Sequence, residues 1–204
     1  MKADSEFNEK HQDVLKEIGN IGTGNAVTAL SQLLGKRFNI EVPDIRLVEY
    51  YEVPGLLGGA EVLKTGIMLN ISGGLSGIFL FLLDEEFTRT VLDVMVGQEE
   101  RDIVKLDDMS RSAICEIGNI MCCSYINALA MMTGLKINVS VPGVCSDMAG
   151  AILSVAVVHF AEISSRILLI ENKFGMKEGA FFSHILFLPD PGTADKLQQI
   201  LEED

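Results

Sequence analysis

Two long stretches of the chain repeat apolar residues every three to four positions, which is typical of helices with one buried face. The first stretch predicts a helix over 6–34 that ends at Gly35. The second predicts a helix over 108–132 that ends at Gly134. Shorter runs that are rich in β-branched residues follow each helix, as expected for strands. The pattern therefore predicts two similar halves, each beginning with a long helix.

The shorter elements follow in nearly the same order in both halves. The first half predicts a strand at 38–42, an extended segment at 45–53, a loop at 54–59, hairpin strands at 61–71 and 77–83, and a helix at 85–96. The second half predicts a strand at 136–141, a strand pair at 166–174 and 180–188, and a closing helix at 192–201. The halves differ at 143–163, which is more typical of a helix than of a strand. Asp84 and either Asp107 or Asp108 are predicted helix N-caps.

Each half is small for a hydrophobic core of its own, so the strands of both halves are expected to share one sheet. We predict a single α+β domain over 1–204, with internal repeats at about 6–97 and 105–203. The repeats are expected to form a tandem duplication with pseudo-twofold symmetry. Both long helices then lie on the same face of a shared, mainly antiparallel sheet.

A short motif, Glu-Ile-Gly-Asn-Ile, occurs once in each long helix. Its first copy contains Glu17 and Asn20, and its second contains Glu116 and Asn119, so corresponding residues are 99 positions apart. A surface without function has no reason to keep the same two polar residues at the same spacing twice. The motif is therefore the first candidate for a functional site.

The polar residues of the motif share one side of the helix. On a wheel with about 100° per residue, Asp13 lies within roughly 60° of Glu17 and Asn20, away from the apolar face. Ser112 takes the place of Asp13 in the second copy. These side chains are expected to point into solvent as a group.

Composition limits the classes of partner. The 204 residues are 48% hydrophobic, which excludes a disordered chain, and their net charge of -13 opposes binding to nucleic acid or to an anionic membrane. The polar first thirteen residues do not resemble a signal peptide, so a cytoplasmic protein is expected. The most apolar run, 149–160, is shorter than the roughly 20 residues that cross a bilayer, so no membrane insertion is expected.

Several kinds of chemistry are poorly supported by the sequence. The four cysteines and three histidines have no metal-binding spacing, and the cysteines are expected to be small buried thiols. The motif offers neither a pair of carboxylates for acid–base catalysis nor a histidine near Ser112. The glycines at 19, 22 and 24 resemble a phosphate loop only weakly, because no strand precedes them. Close packing is the better interpretation of Gly22 and Gly24, and of Gly19 and Gly118.

The motif extends to a proline 23 positions after each asparagine. The pattern Asp/Ser-x3-Glu-x2-Asn-x22-Pro is met twice, by Asp13, Glu17, Asn20 and Pro43 and by Ser112, Glu116, Asn119 and Pro142. This pattern resembles the CheC, CheX and FliY family of chemotaxis phosphatases, and the resemblance covers essentially the whole chain. Two motifs in one chain are similar to the CheC-type members.

The resemblance implies dephosphorylation of a CheY-type response regulator. Glu17 and Glu116 are then expected to pair with the regulator's active-site lysine, while Asn20 and Asn119 place the attacking water. The chain has no cofactor of its own, since the regulator supplies Mg²⁺. The remaining motif positions have supporting roles: Asp13 and Ser112 tune docking or the helix, and Pro43 and Pro142 each end a strand so that the motif face stays clear.

The resemblance also implies a second partner, the receptor deamidase CheD. Its docking segment maps to about 144–158, with Asp147 as a contact, although a buried amphipathic element explains 149–158 equally well. The alternative function is a non-catalytic module of the same fold, either flagellar-switch-like or a CheD-binding adaptor. The simplest alternative is that each Glu/Asn pair is only a solvated helix face.

Overall fold

A computed structural model describes residues 9–41, 43–97, 102–160, 166–176 and 179–190, together with positions 192–193, 196 and 199. Thirteen helices and strands and one short 3-10 helix lie in these segments. In chain order they are α1 (Glu9–Leu34), β1 (Asn39–Ile40), β2 (Asp44–Glu49), the 3-10 helix (Tyr50–Glu52), α2 (Val53–Leu56), β3 (Leu63–Gly73), β4 (Gly77–Asp84), α3 (Glu85–Met95), α4 (Asp108–Thr133), β5 (Ile137–Val139), β6 (Gly143–Met148), α5 (Ala149–Phe160), β7 (Arg166–Met176) and β8 (Gly179–Pro189).

The strands of both halves form one sheet in which every described pairing is antiparallel. Its order is β1-β7-β8-β4-β3-β5, with β2 beside β7 and β6 beside β3. The strands β1, β2, β3 and β4 of the first half correspond to β5, β6, β7 and β8 of the second. Exchanging each strand for its counterpart gives the same order read from the other end. The predicted α+β class and shared sheet are confirmed. Each half completes the other's edge, since β2 pairs with β7 and β6 pairs with β3.

Both faces of the sheet are covered by helices. On β4, Phe79, Phe81 and Leu83 pack with α1, α3 and α4, whereas the alternate residues Leu80 and Leu82 pack with α2 and α5. Seven of the eight residues of β4 are buried, as expected for a central strand with two covered faces. The prediction that α1 and α4 share a face is confirmed, and the layer formed by α2 and α5 on the other face is additional.

The ends of the long helices follow from their terminal residues. The residues after α1 and α4, Gly35 and Gly134, have φ values of +61° and +66°, a left-handed conformation that glycine adopts at low cost. At the start of α4, the Asp107 carboxylate accepts a hydrogen bond of 2.7 Å from the Ser110 amide, so Asp107 is the cap. The predicted start of the first helix lies partly outside the described residues, as does most of the closing helix at 192–201.

The predicted extended segment at 45–53 is wrong beyond Glu49, and the loop at 54–59 is partly helical. A 3-10 turn and α2 occupy this region because Glu49 and Glu52 form a reciprocal capping box, and Pro54 fits the first turn of a helix. Val53 and Leu57 are buried against the second face of the sheet. Burial of these two side chains favours a helical turn over an edge strand.

The prediction for 143–163 is also wrong in its first part. Residues Gly143–Met148 form β6, and only Ala149–Phe160 form a helix. The strand pairs in register with β3 from Met148 opposite Leu63 to Gly143 opposite Met68. The exposed edge of β3 supplies main-chain partners that the local pattern does not reveal.

Four polar side chains form a cluster on the second face of the sheet. The buried Lys64 ammonium pairs with the Asp84 carboxylate, and His184 Nε2 lies 3.0 Å from Glu171 Oε2. Asp84 holds the N-cap position of α3, but its other carboxylate oxygen accepts a hydrogen bond of 3.1 Å from the Phe182 amide. The predicted cap is therefore right in position and wrong in role, because the buried lysine requires a counter-charge.

This cluster predicts a pH dependence of stability. Burial, together with the Lys64 ammonium, lowers the pKa of His184 from its ordinary value of about 6.5. The unfolded chain therefore binds this proton more readily, so stability is complete above pH 6.5 and is lost as the pH falls toward the folded pKa. As the pH is lowered from about 7 to about 5, we expect the free energy of unfolding to fall less in His184→Gln than in the unmodified protein. Urea unfolding at a series of pH values measures this free energy. Equal decreases in the two proteins would contradict the prediction.

Helix α4 is long and apolar enough to cross a membrane by length and composition, although 56% of its most apolar window is buried within the protein. Its residues Ile114, Ile117 and Met121 are fully buried in the core under the first face of the sheet. The composition of α4 is therefore that of a core helix.

Candidate functional site

Both copies of the motif present their polar pair to solvent. Glu17 and Asn20 are exposed on α1, and Glu116 and Asn119 are exposed on α4, while the isoleucine between each pair is buried. The spacing of three residues places each glutamate and asparagine on adjacent turns of the same helix side. The predicted exposure is confirmed for both pairs.

The first position of the motif is described in one copy only. Ser112 is exposed, and its hydroxyl donates a hydrogen bond of 2.8 Å to the Asp108 carbonyl one turn earlier. The hydroxyl is therefore directed along its own helix rather than toward Glu116. The side chain of Asp13 lies outside the described residues. The roles of both in docking stay predictions.

The glycine inside each motif brings its helix close to the sheet. A Cβ added at Gly19 would overlap Ile45 Cδ1 of β2, and one added at Gly118 would overlap Ile67 Cγ2 of β3. The missing side chain thus lets the backbone between glutamate and asparagine lie directly on a strand. This contact directs the polar pair away from the sheet.

The two other glycines of the first motif differ from each other. A Cβ at Gly22 would lie 2.6 Å from the Tyr125 ring, so the prediction of close packing is confirmed there, against α4. Gly24 is exposed, and nothing lies within 4 Å of an added Cβ. The prediction for Gly24 is therefore wrong.

The two prolines of the pattern lie beside the motif helices, in the breaks between short edge strands. Pro43 is buried between β1 and β2, close to Gly19. Pro142 precedes β6, and its carbonyl oxygen accepts a weak hydrogen bond of 3.7 Å from the Cys115 thiol of α4. Because proline lacks an amide donor, it suits a break in an edge strand. Each proline directly precedes the next edge strand and lies three residues after the end of the previous one, at Ile40 or Val139, so a role in ending strands stays a prediction.

The two motifs are separate sites. The first lies over β2 and the second over β3, which are four strand spacings apart in the order β2-β7-β8-β4-β3. At about 4.8 Å per spacing, this separation is roughly 19 Å. Glu17 and Glu116 are therefore too far apart to act as an acid–base pair on one substrate bond, because the carboxylates of such a pair lie within roughly 10 Å of each other.

A buried hydrogen-bond network, which sequence reasoning missed, joins the two motif helices. The hydroxyls of Thr23 of α1 and Tyr125 of α4 lie 2.5 Å apart, and Asn172 Oδ1 of β7 lies within hydrogen-bonding distance of both, at 2.9 and 2.8 Å. Burial raises the pKa of Tyr125 to about 12, so the phenol keeps its proton. The network holds the helices in register beneath both sites. A threonine on the apolar face of α1, three positions after Asn20, is the sequence signal that could have revealed it.

The second site also makes contacts through two residues that the first copy does not contain. The Cys123 thiol donates a weak hydrogen bond of 3.6 Å to Asn119 Oδ1, whereas Gly24 occupies the corresponding position in α1. Arg111 donates a hydrogen bond of 2.6 Å to the Val144 carbonyl of β6, which ties the start of α4 to the sheet edge. The two sites therefore share a glutamate and an asparagine but differ in their neighbours.

The segment predicted to dock the receptor deamidase spans two elements, β6 and α5. Asp147 lies on the strand opposite Lys64, and its carboxylate accepts a hydrogen bond of 2.7 Å from the Met148 amide. Asp147 is exposed, so a partner can reach it. In the part of α5 whose side chains are described, 149–155, Ile152 and Leu153 lie in the core of the second face. Docking of CheD at this segment stays a prediction.

The chemistry available at each site is hydrogen bonding and charge pairing. In the described segments, no group of three or more His, Cys, Asp or Glu side chains is arranged to hold a metal ion. Burial raises the pKa of Cys115 and of Cys123, so neither thiol is activated as a nucleophile. A carboxamide can orient a water molecule, and a carboxylate can bind a cation of a partner. An exposed pair of this kind acts on a group that a partner brings to it.

Comparison with known sequences identifies relatives over nearly the whole chain. Residues 11–46 and 109–146 match the CheC-like family, and each matched segment contains one complete Glu/Asn motif with its proline. The CheY-P phosphatase CheC of Bacillus subtilis is 33% identical over 193 residues, which cover 93% of this chain and 92% of that protein.

Solved structures share the fold at lower identity. The crystal structure of Thermotoga maritima FliY matches with a TM-score of 0.70 and 22% identity, covering 96% of this chain and 98% of that one. The FliM middle domain of Vibrio alginolyticus matches with a TM-score of 0.66 and 14% identity, covering 92% and 99% of the two chains. These likenesses establish the fold alone.

Proposed function

This chain belongs to the CheC-like family, and on that premise we propose that it hydrolyses the aspartyl phosphate of a CheY-type response regulator. The observation that carries the proposal is the pair of exposed Glu/Asn sites, each held by a glycine against a strand. A relative that is 33% identical over 93% of the chain bears the name CheY-P phosphatase, which supports the same substrate class.

In the proposed reaction, a water oxygen attacks the phosphorus atom and the bond between phosphorus and the aspartate oxygen breaks. The products are inorganic phosphate and the free carboxylate of the regulator. The regulator brings the Mg²⁺ ion that balances the charge of the phosphoryl group. This chain contributes position: the asparagine carboxamide fixes the attacking water, and the glutamate pairs with a lysine on the regulator.

The helical geometry explains why two residues suffice. Glu116 and Asn119 lie on adjacent turns, so one docked partner can contact both at once. Asn119 belongs to a helix that is fixed to the sheet at Gly118, which limits its freedom before docking. Restricting the water and carboxamide in this way lowers the entropic part of the barrier.

The second candidate function is a non-catalytic binding module. The observation that favours it is the fold shared with the FliM middle domain. A binding module is expected to associate with the regulator without changing the lifetime of its phosphoryl group. The rate of phosphate release therefore separates the two functions.

Single-site variants test the proposal directly. Because the sites lie roughly 19 Å apart, each is expected to work alone, so Asn20→Ala and Asn119→Ala each keep part of the activity. The measurement is the decay of the phosphorylated regulator with and without the protein. Decay that the unmodified protein does not accelerate would refute the phosphatase and favour the binding module. Complete loss in either single variant would show that one site carries all the activity.

A further inference from the structure

An exposed methionine extends the second site along α4. Met109 is 66% exposed and lies three residues before Ser112. On the helical wheel, Met109, Ser112, Glu116 and Asn119 fall within roughly 80° of one another. The methionine is thus part of the same solvent-facing side as the Glu/Asn pair.

A second exposed apolar residue lies at the edge of the same site. Val141 is 88% exposed, more than any other large hydrophobic residue of the described segments. It directly precedes Pro142, whose carbonyl contacts Cys115, and Cys115 is adjacent to Glu116 in the helix. Met109 and Val141 therefore flank the second site, one along the helix and the other beside it. We name these two residues the apolar rim.

The first copy of the motif has a different composition at the matching helix positions. Lys10 and Asp13 stand where α4 has Met109 and Ser112, so two charged residues are replaced by an apolar and a neutral one. Single exposed apolar residues are ordinary on protein surfaces. Two exposed apolar residues beside one Glu/Asn site offer a contact surface, and the difference between the copies lies at Met109, because Val42 stands at the position that matches Val141.

From these positions we infer that the α4 site docks its partner through the apolar rim, in addition to Glu116 and Asn119. This inference rests on the proposed function, and the occupant is the phosphorylated regulator. That regulator must present apolar side chains on the surface around its aspartyl phosphate pocket. Burial of Met109 and Val141 then stabilises the complex without taking part in bond breaking.

The test uses a protein in which the first site cannot dock. Glu17→Lys with Asn20→Ala repels the regulator's lysine and removes the carboxamide, and we name this variant the α4-only protein. Its affinity is measured by calorimetry for a regulator loaded with beryllofluoride and Mg²⁺, which imitate the phosphoryl group. Met109→Lys and Val141→Ser are then added separately. Because both side chains are exposed, circular dichroism is expected to stay unchanged.

Each rim substitution is expected to weaken binding about fivefold, from the apolar area that is no longer buried. The matched control is Met131→Lys, since Met131 is 77% exposed on α4 but lies twelve residues beyond Asn119. It is expected to leave the affinity unchanged. Rim variants that bind as tightly as the control would overturn the inference, and so would an α4-only protein that does not bind.

The same proteins separate this inference from the proposed function. If none of them accelerates phosphate release, the phosphatase proposal fails at this site, whereas the affinity comparison still decides on the apolar rim. If the α4-only protein is active and Met109→Lys keeps its affinity, the phosphatase stands without the rim. Weaker binding with an unchanged maximal rate is the result that supports docking through these residues.

Discussion

Replacing Asn20 and Asn119 by alanine in one chain is expected to lower the acceleration of regulator dephosphorylation by about 100-fold or more. Alanine cannot orient a water molecule, and the two sites are the places where the chain presents a carboxamide beside a motif glutamate. Both asparagines are exposed on helices, where alanine has the higher helix propensity, so the fold is expected to stay intact.

The chain offers a matched control for this double variant. Asn25 is exposed on α1 and Asn127 on α4, and neither belongs to a motif. Asn25→Ala with Asn127→Ala changes the same residue types on the same helices, and its activity is expected to equal that of the unmodified protein. Phosphate release from the labelled regulator is measured for both double variants. Equal rates for the two would refute the assigned role of the motif asparagines.

Replacing Gly118 by alanine is expected to lower the free energy of unfolding by about 1–2 kcal/mol, although alanine favours helices. The added methyl group would overlap Ile67 Cγ2, a fully buried side chain in β3, so helix and strand must move apart. That movement displaces the backbone between Glu116 and Asn119. The activity of the α4-only protein is therefore expected to fall together with its stability.

Gly24→Ala provides the comparison. Nothing lies within 4 Å of an added Cβ there, so only the helix preference of alanine acts, and stability is expected to rise by about 0.5–1 kcal/mol. Urea unfolding monitored by circular dichroism measures both variants. The tight contact between α4 and β3 would be wrong if Gly118→Ala gained as much stability as Gly24→Ala.

The exposure of the candidate site could be predicted because it depends on local periodicity. The rotation of about 100° per residue is a property of the helical backbone. Once the apolar face of each long helix is recognised, the side on which Glu17 and Asn20 lie follows. The recurrence of the motif at an interval of 99 residues added a second, independent reason to single out these residues.

Two of the wrong predictions share a cause, which is a partner that lies far away in the sequence. Residues 143–148 look helical alone but form β6, because β3 offers main-chain hydrogen-bonding groups along its edge. Asp84 looks like a helix cap but pairs with the buried Lys64. Gly24 resembles a packing glycine, yet no other element approaches it.

The amino-acid pattern was therefore sufficient for the long helices, the hairpin strands and the outward direction of each Glu/Asn pair. It could not reveal that each half supplies the edge strands of the other, that the two sites lie roughly 19 Å apart, or that Thr23, Tyr125 and Asn172 bond beneath them. Helical periodicity is carried by neighbouring residues, whereas strand pairing, burial and hydrogen bonding between distant side chains exist only after the chain has folded. The position of Val141 beside the α4 site likewise follows from where β5 and β6 join the sheet.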